Sequence, residues 1–137
     1  MGVTVTANNS SFAFHMGSGG FYSLRKTVAD ALDPEFGKNY AGLLKCRSEE
    51  DYKEHDRIAN VLIGEKNLDD DIVEFLYMPD TDGSVPYRTC GKILALLEKT
   101  DLSGKGFQYA AYRNDDYGSF KRFLRECYRY RRKMRWS

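Results

Sequence analysis

The hydrophobic period of this chain changes twice, and the two changes bound its architecture. Residues 3–6, "VTVT", alternate apolar and polar, the period-two pattern of a strand with one buried face. Ser11 to His15 repeats the alternation. Asn8 and Asn9 between them tolerate the positive φ of a tight hairpin turn. From Phe21 the period becomes helical, and it returns to two only in "KMRW" near the end. That closing run suits a third strand on the N-terminal hairpin. The expected fold is α+β: a small three-stranded antiparallel sheet, made of the N-terminal hairpin and a C-terminal strand, packed on five or six helices. A length of 137 residues suits a single domain spanning 1–137. Such a domain buries roughly two thirds of its unfolded surface, enough for a core without staples.

Punctuation divides the helical middle. Phe21, Leu24, Val28 and Leu32 form a first stripe, closed by Asp33 and Pro34 as the cap and first residue of the next helix. Phe36, Tyr40, Leu43 and Leu44 follow, with Gly37 and Gly42 weakening the pattern. Ser48 with Asp51 reads as a capping box; Tyr52, His55, Ala59 and Leu62 are the buried face behind it, and Gly64 the stop. "NLDDD" opens a fourth helix with carboxylates at its positive end. Pro86 opens a fifth, with Cys90, Ile93, Leu94 and Leu97 inside. Gly104, Gly106 and Gly118 mark Asp101 to Gly118 as loop, with a short helix over "FQYAAYR" as the alternative. The last helix is expected from about Ser119 to Arg131, with Phe120, Phe123, Leu124, Cys127 and Tyr130 on its buried side.

No apolar run approaches the roughly 20 residues of a membrane span, so no membrane is expected. The N-terminus lacks the basic and apolar regions of a signal peptide. Gly2 and Thr6 match a loose myristoylation pattern, but the alternation of Val3 and Val5 explains these residues better. Cys46, Cys90 and Cys127 are distant and odd in number, which fits reduced thiols in a cytoplasmic protein.

Three motifs invite chemistry. Aligning an EF-hand on Gly83 places Asp80 and Asp82 on ligand positions and Val85 on the apolar one. Met78 and Thr89 then occupy the first and last ligand positions, so the loop offers two carboxylates where calcium takes six to eight oxygens. A helix-to-helix turn is the reading that remains. "HMGSGGFYSLR" runs from strand through glycines into a helix, where Gly17, Ser18, Gly19 and Gly20 could present amides to phosphate. It lacks the Lys-Ser/Thr of a P-loop and the G-x-G-x-x-G spacing. An enzyme that handles a nucleotide or phosphate would use this loop with His15 or Arg25. His15 and His55 lie in different elements, no Cys or His pair has ligand spacing, and no cofactor or catalytic residue is expected.

The strongest signal is charge. Residues 119–137, "SFKRFLRECYRYRRKMRWS", hold eight basic residues against one acid, a net of +7 in a chain whose total is +1. The remainder is therefore −6. Lys121, Arg122, Arg125, Arg129, Arg132, Lys133 and Arg135 surround Tyr128, with Trp136 beside them. Arginine reads phosphate and carboxylate in a bidentate way, Arg, Tyr and Trp dominate interface hot spots, and Tyr128 offers a stacking face. The opposing reading pairs these cations with the acidic remainder, notably Glu49, Glu50 and Asp69 to Asp71.

The stretches "MGVTV", "FYSLRKTVADALDPEFGKNY", "DTDG" and "MRWS" together resemble a family of short bacterial and phage-borne proteins of uncharacterised function. The resemblance implies a cytoplasmic bacterial or mobile-element protein and carries no site residues. The expectation is a non-enzymatic binding protein whose basic C-terminal helix meets an acidic protein or nucleic acid. A phosphate-handling enzyme and a degenerate calcium-binding protein are the alternatives.

Overall fold

The computed structural model describes residues 2–8, 13–100 and 116–137. Strand β1 (Gly2–Ala7) pairs with β2 (Ala13–Gly17), and helix α1 (Ser18–Leu32) follows directly. Helix α2 (Pro34–Ala41) leads through a 3-10 turn into α3 (Glu49–Lys66) and α4 (Asp70–Tyr77). Strand β3 (Gly83–Val85), α5 (Tyr87–Lys99), α6 (Asp116–Arg129) and β4 (Met134–Trp136) complete the described elements. The turn at Asn9 and the "FQYAAYR" segment lie outside the described residues.

The α+β class stands, but the sheet has four strands, not three. Its order is β2-β1-β4-β3, antiparallel throughout. The added strand, β3, reads Gly-Ser-Val with one buried side chain, so it shows no apolar–polar alternation, and it directly follows the DTDG turn. The closing strand pairs on both sides: Trp136 opposes Val5 and Gly83, and Met134 opposes Ala7 and Val85. This register sends Val3, Val5, Ala7, Val85, Met134 and Trp136 into the core. Thr4, Thr6, His15 and Arg135 occupy the alternate positions, none of them buried. Ser137 and Thr4 exchange backbone hydrogen bonds of 2.9 and 3.1 Å, tying the two ends of the chain together.

Helix boundaries follow local chemistry. The Asp33 carboxylate accepts the Phe36 N–H at 2.9 Å, with Pro34 at the first helical position. Ser48 and Asp51 cap each other's backbone at the start of α3. Asp69 accepts from the Asp71 and Ile72 amides at the start of α4. Gly64 does not stop α3; the helix runs past it to Asn67, left-handed at φ 51, with the Leu68 N–H on the Ile63 carbonyl at 3.1 Å. Helix α6 ends in the same manner at Arg131, φ 54, with the Arg132 N–H on the Cys127 carbonyl at 2.8 Å. Tyr130 therefore lies beyond the last helical residue and is 51% exposed rather than buried.

An aromatic cluster joins sheet to helices. Trp136 packs on Phe21 and Phe75 at centroid distances of 5.6 and 5.5 Å, and Phe75 stacks on Phe120 at 6.3 Å.

Candidate anion-binding face

Helix α6 buries Phe120, Phe123, Leu124 and Cys127, and this fixes its outer face by periodicity. Arg122, Arg125, Tyr128 and Arg129 are exposed, and Lys121 is half-buried. Helix α5 lies alongside, with Cys90, Ile93, Leu94 and Leu97 inside. Between the two helices runs a groove of about 910 Å³, walled by Tyr87, Arg88, Gly91 and Lys92 on one side and Tyr128, Arg129 and Arg131 on the other.

The floor of this groove depends on Gly91. A Cβ there would collide with the Tyr128 ring, so glycine is what lets that ring pack directly against α5. Tyr128 stays 53% exposed, and its ring stands 6.3 Å from that of Tyr87. The Arg88 guanidinium lies 5.6 Å from the Tyr87 centroid, and that of Arg129 lies 5.5 Å from the Tyr130 centroid.

Among the described residues, the acidic part of the chain neutralises only part of this face. Arg125 pairs with Glu98 at 2.6 Å. Lys92 is held by Asp69 at 3.1 Å and Asp71 at 2.8 Å. Glu49 pairs with Lys53, four residues along its own helix. Among the described residues, Lys121, Arg122, Arg129, Arg131, Lys133 and Arg135 make no ion pair. Arg122 bonds the Ser119 hydroxyl at 3.1 Å, and Lys121 lies 5.4 Å from the Tyr117 centroid. Arg132 donates to the Asn8 carbonyl at 3.0 Å, and the Lys133 N–H to the Asn8 side chain at 2.5 Å. These bonds hold the turn after α6 against the hairpin. Arg135 stands on the outer face of the sheet, opposite Thr6 and Ser84.

Trp136 does not belong to the surface. It is 2% exposed, and its indole N–H donates to the Pro79 carbonyl at 2.9 Å. Its alternation with the exposed Arg135 is the sequence signal that sends it inward, whereas its basic neighbours suggested the opposite.

The other candidates are not assembled. No loop separates β2 from α1: Gly17 ends the strand in an extended conformation, and Ser18 starts the helix. Ser18, Gly19 and Gly20 are its first turn. His15 is exposed on the sheet, its Nδ1 2.8 Å from the Thr4 hydroxyl, while Arg25 is buried among the core rings. Asp80 and Asp82 are exposed in the bend before β3, and among the described residues no three His, Cys, Asp or Glu side chains gather as a metal would need. Gly83 belongs to a strand rather than a ligand loop.

Cys46 and His55 share the wall of one pocket. The thiol, however, lies on the Gly42 carbonyl, and His55 Nε2 lies 3.0 Å from the Tyr77 hydroxyl. Contact with the Cys127 thiol and burial push the Cys90 thiol upward, away from thiolate reactivity. Comparison with protein-family models, curated proteins and solved structures gives no match.

Proposed function

We propose that this chain is a non-enzymatic binding module that holds a polyanion, nucleic acid in the first place, along α6, the turn after it and the facing side of α5. The observation that carries this reading is the set of cations on α6 and the turn after it that make no ion pair among the described residues, two of which, Arg129 and Arg131, wall the aromatic groove. Charge that is not neutralised within the chain produces a positive field, which steers and holds polyanions. Exposed Tyr128 and Tyr130, with Tyr87 across the groove, add flat faces of the kind on which unpaired bases stack. Exposed tyrosines also serve protein interfaces, so nucleic acid is put first on the pairing of stacking faces with phosphate-binding cations. On the same footing we place the chain with short cytoplasmic bacterial and phage-borne proteins. The phosphate-enzyme and calcium readings gain no support from where His15, Asp80 and Asp82 stand.

The test is fluorescence anisotropy with labelled single-stranded DNA and RNA of about a dozen nucleotides, the span of one small binding surface. Binding is expected at about 50 mM salt, with affinity falling as salt rises by roughly 0.7 log units per log unit for each phosphate contacted. Four such contacts give a slope near −3 on the same estimate. Absence of binding at low salt rejects nucleic acid. An acidic peptide that binds where the oligonucleotides fail would assign the face to a protein partner.

A further inference from the structure

Arg25 is the anomaly of the core. It stands on α1 among Phe21, Leu24 and Val28, and it is 6% exposed. Its Nη1 donates to the Met78 carbonyl at 2.6 Å. Nε and Nη2 make no well-formed hydrogen bond and are closed to solvent; the Tyr40 hydroxyl interacts with the guanidinium, but no carboxylate lies within salt-bridge distance among the described residues. The rings of Phe21, Phe75 and Trp136 surround the guanidinium carbon at 4.7, 5.3 and 5.4 Å. Those rings stabilise a cation, but they satisfy none of its donors. A buried donor left without an acceptor is costly, more so when charged.

The same side chain forms part of the wall of a pocket of about 220 Å³. Tyr22, Tyr40 and Tyr77 supply an aromatic wall, and Leu44 and Asp80 are its exposed members. Tyr40 does not act as the missing anion. Its hydroxyl donates to the Leu76 carbonyl at 3.0 Å, and burial pushes its phenol up to about 12, against the pull of Arg25. Burial also lowers the Arg25 pKa, with Tyr40 and Asp80 opposing; a guanidinium nonetheless stays charged.

We infer that this pocket binds a small monocarboxylate with an aromatic or apolar body, its two oxygens taking Nε and Nη2 of Arg25. Those two nitrogens share one edge of the guanidinium, the parallel pair of N–H bonds that a carboxylate accepts in bidentate fashion. A single cation beside the negative Asp80 disfavours a phosphate dianion. The rings of Tyr22 and Tyr40 stack at 6.1 Å and offer the ligand body a flat wall. Because Nε and Nη2 are closed to solvent, binding requires the pocket wall beside Arg25 to shift, and Leu44, 61% accessible, is an exposed part of that wall. The site is separate from the basic groove and stands whether or not the groove binds a polyanion.

The experiment follows the Arg25 Nε–H resonance in ¹⁵N-labelled protein, assigned by its loss in Arg25→Met. Sodium benzoate is titrated against sodium chloride at matched ionic strength, with inorganic phosphate as the second arm. Benzoate is expected to move the resonance saturably and to raise the melting temperature. Both effects should vanish in Arg25→Met and in Arg25→Lys, which keeps the charge but lacks the edge. A resonance unmoved by benzoate overturns the proposal. So does a response to phosphate alone, which would reject a carboxylate. If Asp80→Asn moves the resonance without ligand and benzoate has no effect, Asp80 is the partner and the proposal falls.

Discussion

Trp136 and Gly83 are partners across β4 and β3, and the indole occupies the space that a side chain at position 83 would fill. The glycine that resembles the pivot of a calcium loop is thus the seat of the core's only tryptophan. Gly83→Ala places a methyl against a fixed aromatic ring locked by Phe21, Phe75 and the Pro79 carbonyl. Overpacking of this kind typically costs about 1–3 kcal/mol. Urea unfolding should show a lower midpoint with an unchanged slope. A variant as stable as the parent would mean that the indole does not lie over position 83.

Gly64 should behave in the opposite way. It is an exposed residue inside α3, with open space where a Cβ would stand. Gly64→Ala replaces a poor helix former by the best one, for a gain of about 1 kcal/mol. Calorimetry should give a higher melting temperature. A destabilised variant would indicate that α3 ends at Gly64.

What the sequence disclosed was whatever rests on short-range pattern. The Asp33–Pro34 junction, the Ser48–Asp51 box and the inward faces of α5 and α6 are each written within a few residues. The fourth strand is hidden because Gly-Ser-Val, unlike the equally short Met-Arg-Trp, does not alternate. Trp136 was misplaced because its charged neighbours outweighed its alternation with Arg135. The groove was half legible: the cations on α6 were visible, but its α5 wall depends on Gly91 meeting Tyr128, which no spacing records. Arg25 left a faint signal, a charge on an otherwise apolar stripe. Its missing acceptor is a tertiary fact.

Acid should weaken the fold through Asp69. Burial works to raise its pKa, but Lys92 and the Ile72 and Asp71 amides oppose this and hold it below the ordinary value. A depressed carboxyl contributes stability that is fully present above its unfolded pKa, about 3.9, and is lost as pH falls through the folded value. Unfolding free energy should therefore decline below about pH 4. Asp69→Asn keeps a capping side chain but removes the charge, and it should flatten that part of the decline. An identical acid profile in the variant would show that Asp69 contributes none of it.

Arg131 holds a left-handed conformation at the rim of the groove, where glycine is the usual residue. For an L-residue this costs about 1–2 kcal/mol, so Arg131→Gly should raise stability or leave it unchanged after the added chain entropy. If the groove contacts phosphates, the same variant should bind single-stranded DNA more weakly, with a salt slope smaller by about 0.7. Gain in stability with loss of affinity would identify a residue kept for its charge. Unchanged affinity and slope would remove Arg131 from the interface.

Gly91→Ala separates the aromatic platform from the electrostatic field. The new methyl cannot coexist with the Tyr128 ring in its present place. The clash reaches Cγ, so the ring has to turn about χ1, which its half exposure allows, while alanine favours α5 by about 1 kcal/mol. Stability should stay level or rise, and every cation remains. A base stacked on Tyr128 contributes about 1–3 kcal/mol, so Gly91→Ala and Tyr128→Ala should each weaken oligonucleotide binding by roughly five- to 150-fold at fixed salt. Both should keep the parent's salt slope, since no phosphate contact is lost. Binding that depends on salt but is indifferent to both substitutions would leave the cations as the binding surface and deny the tyrosines a part in it.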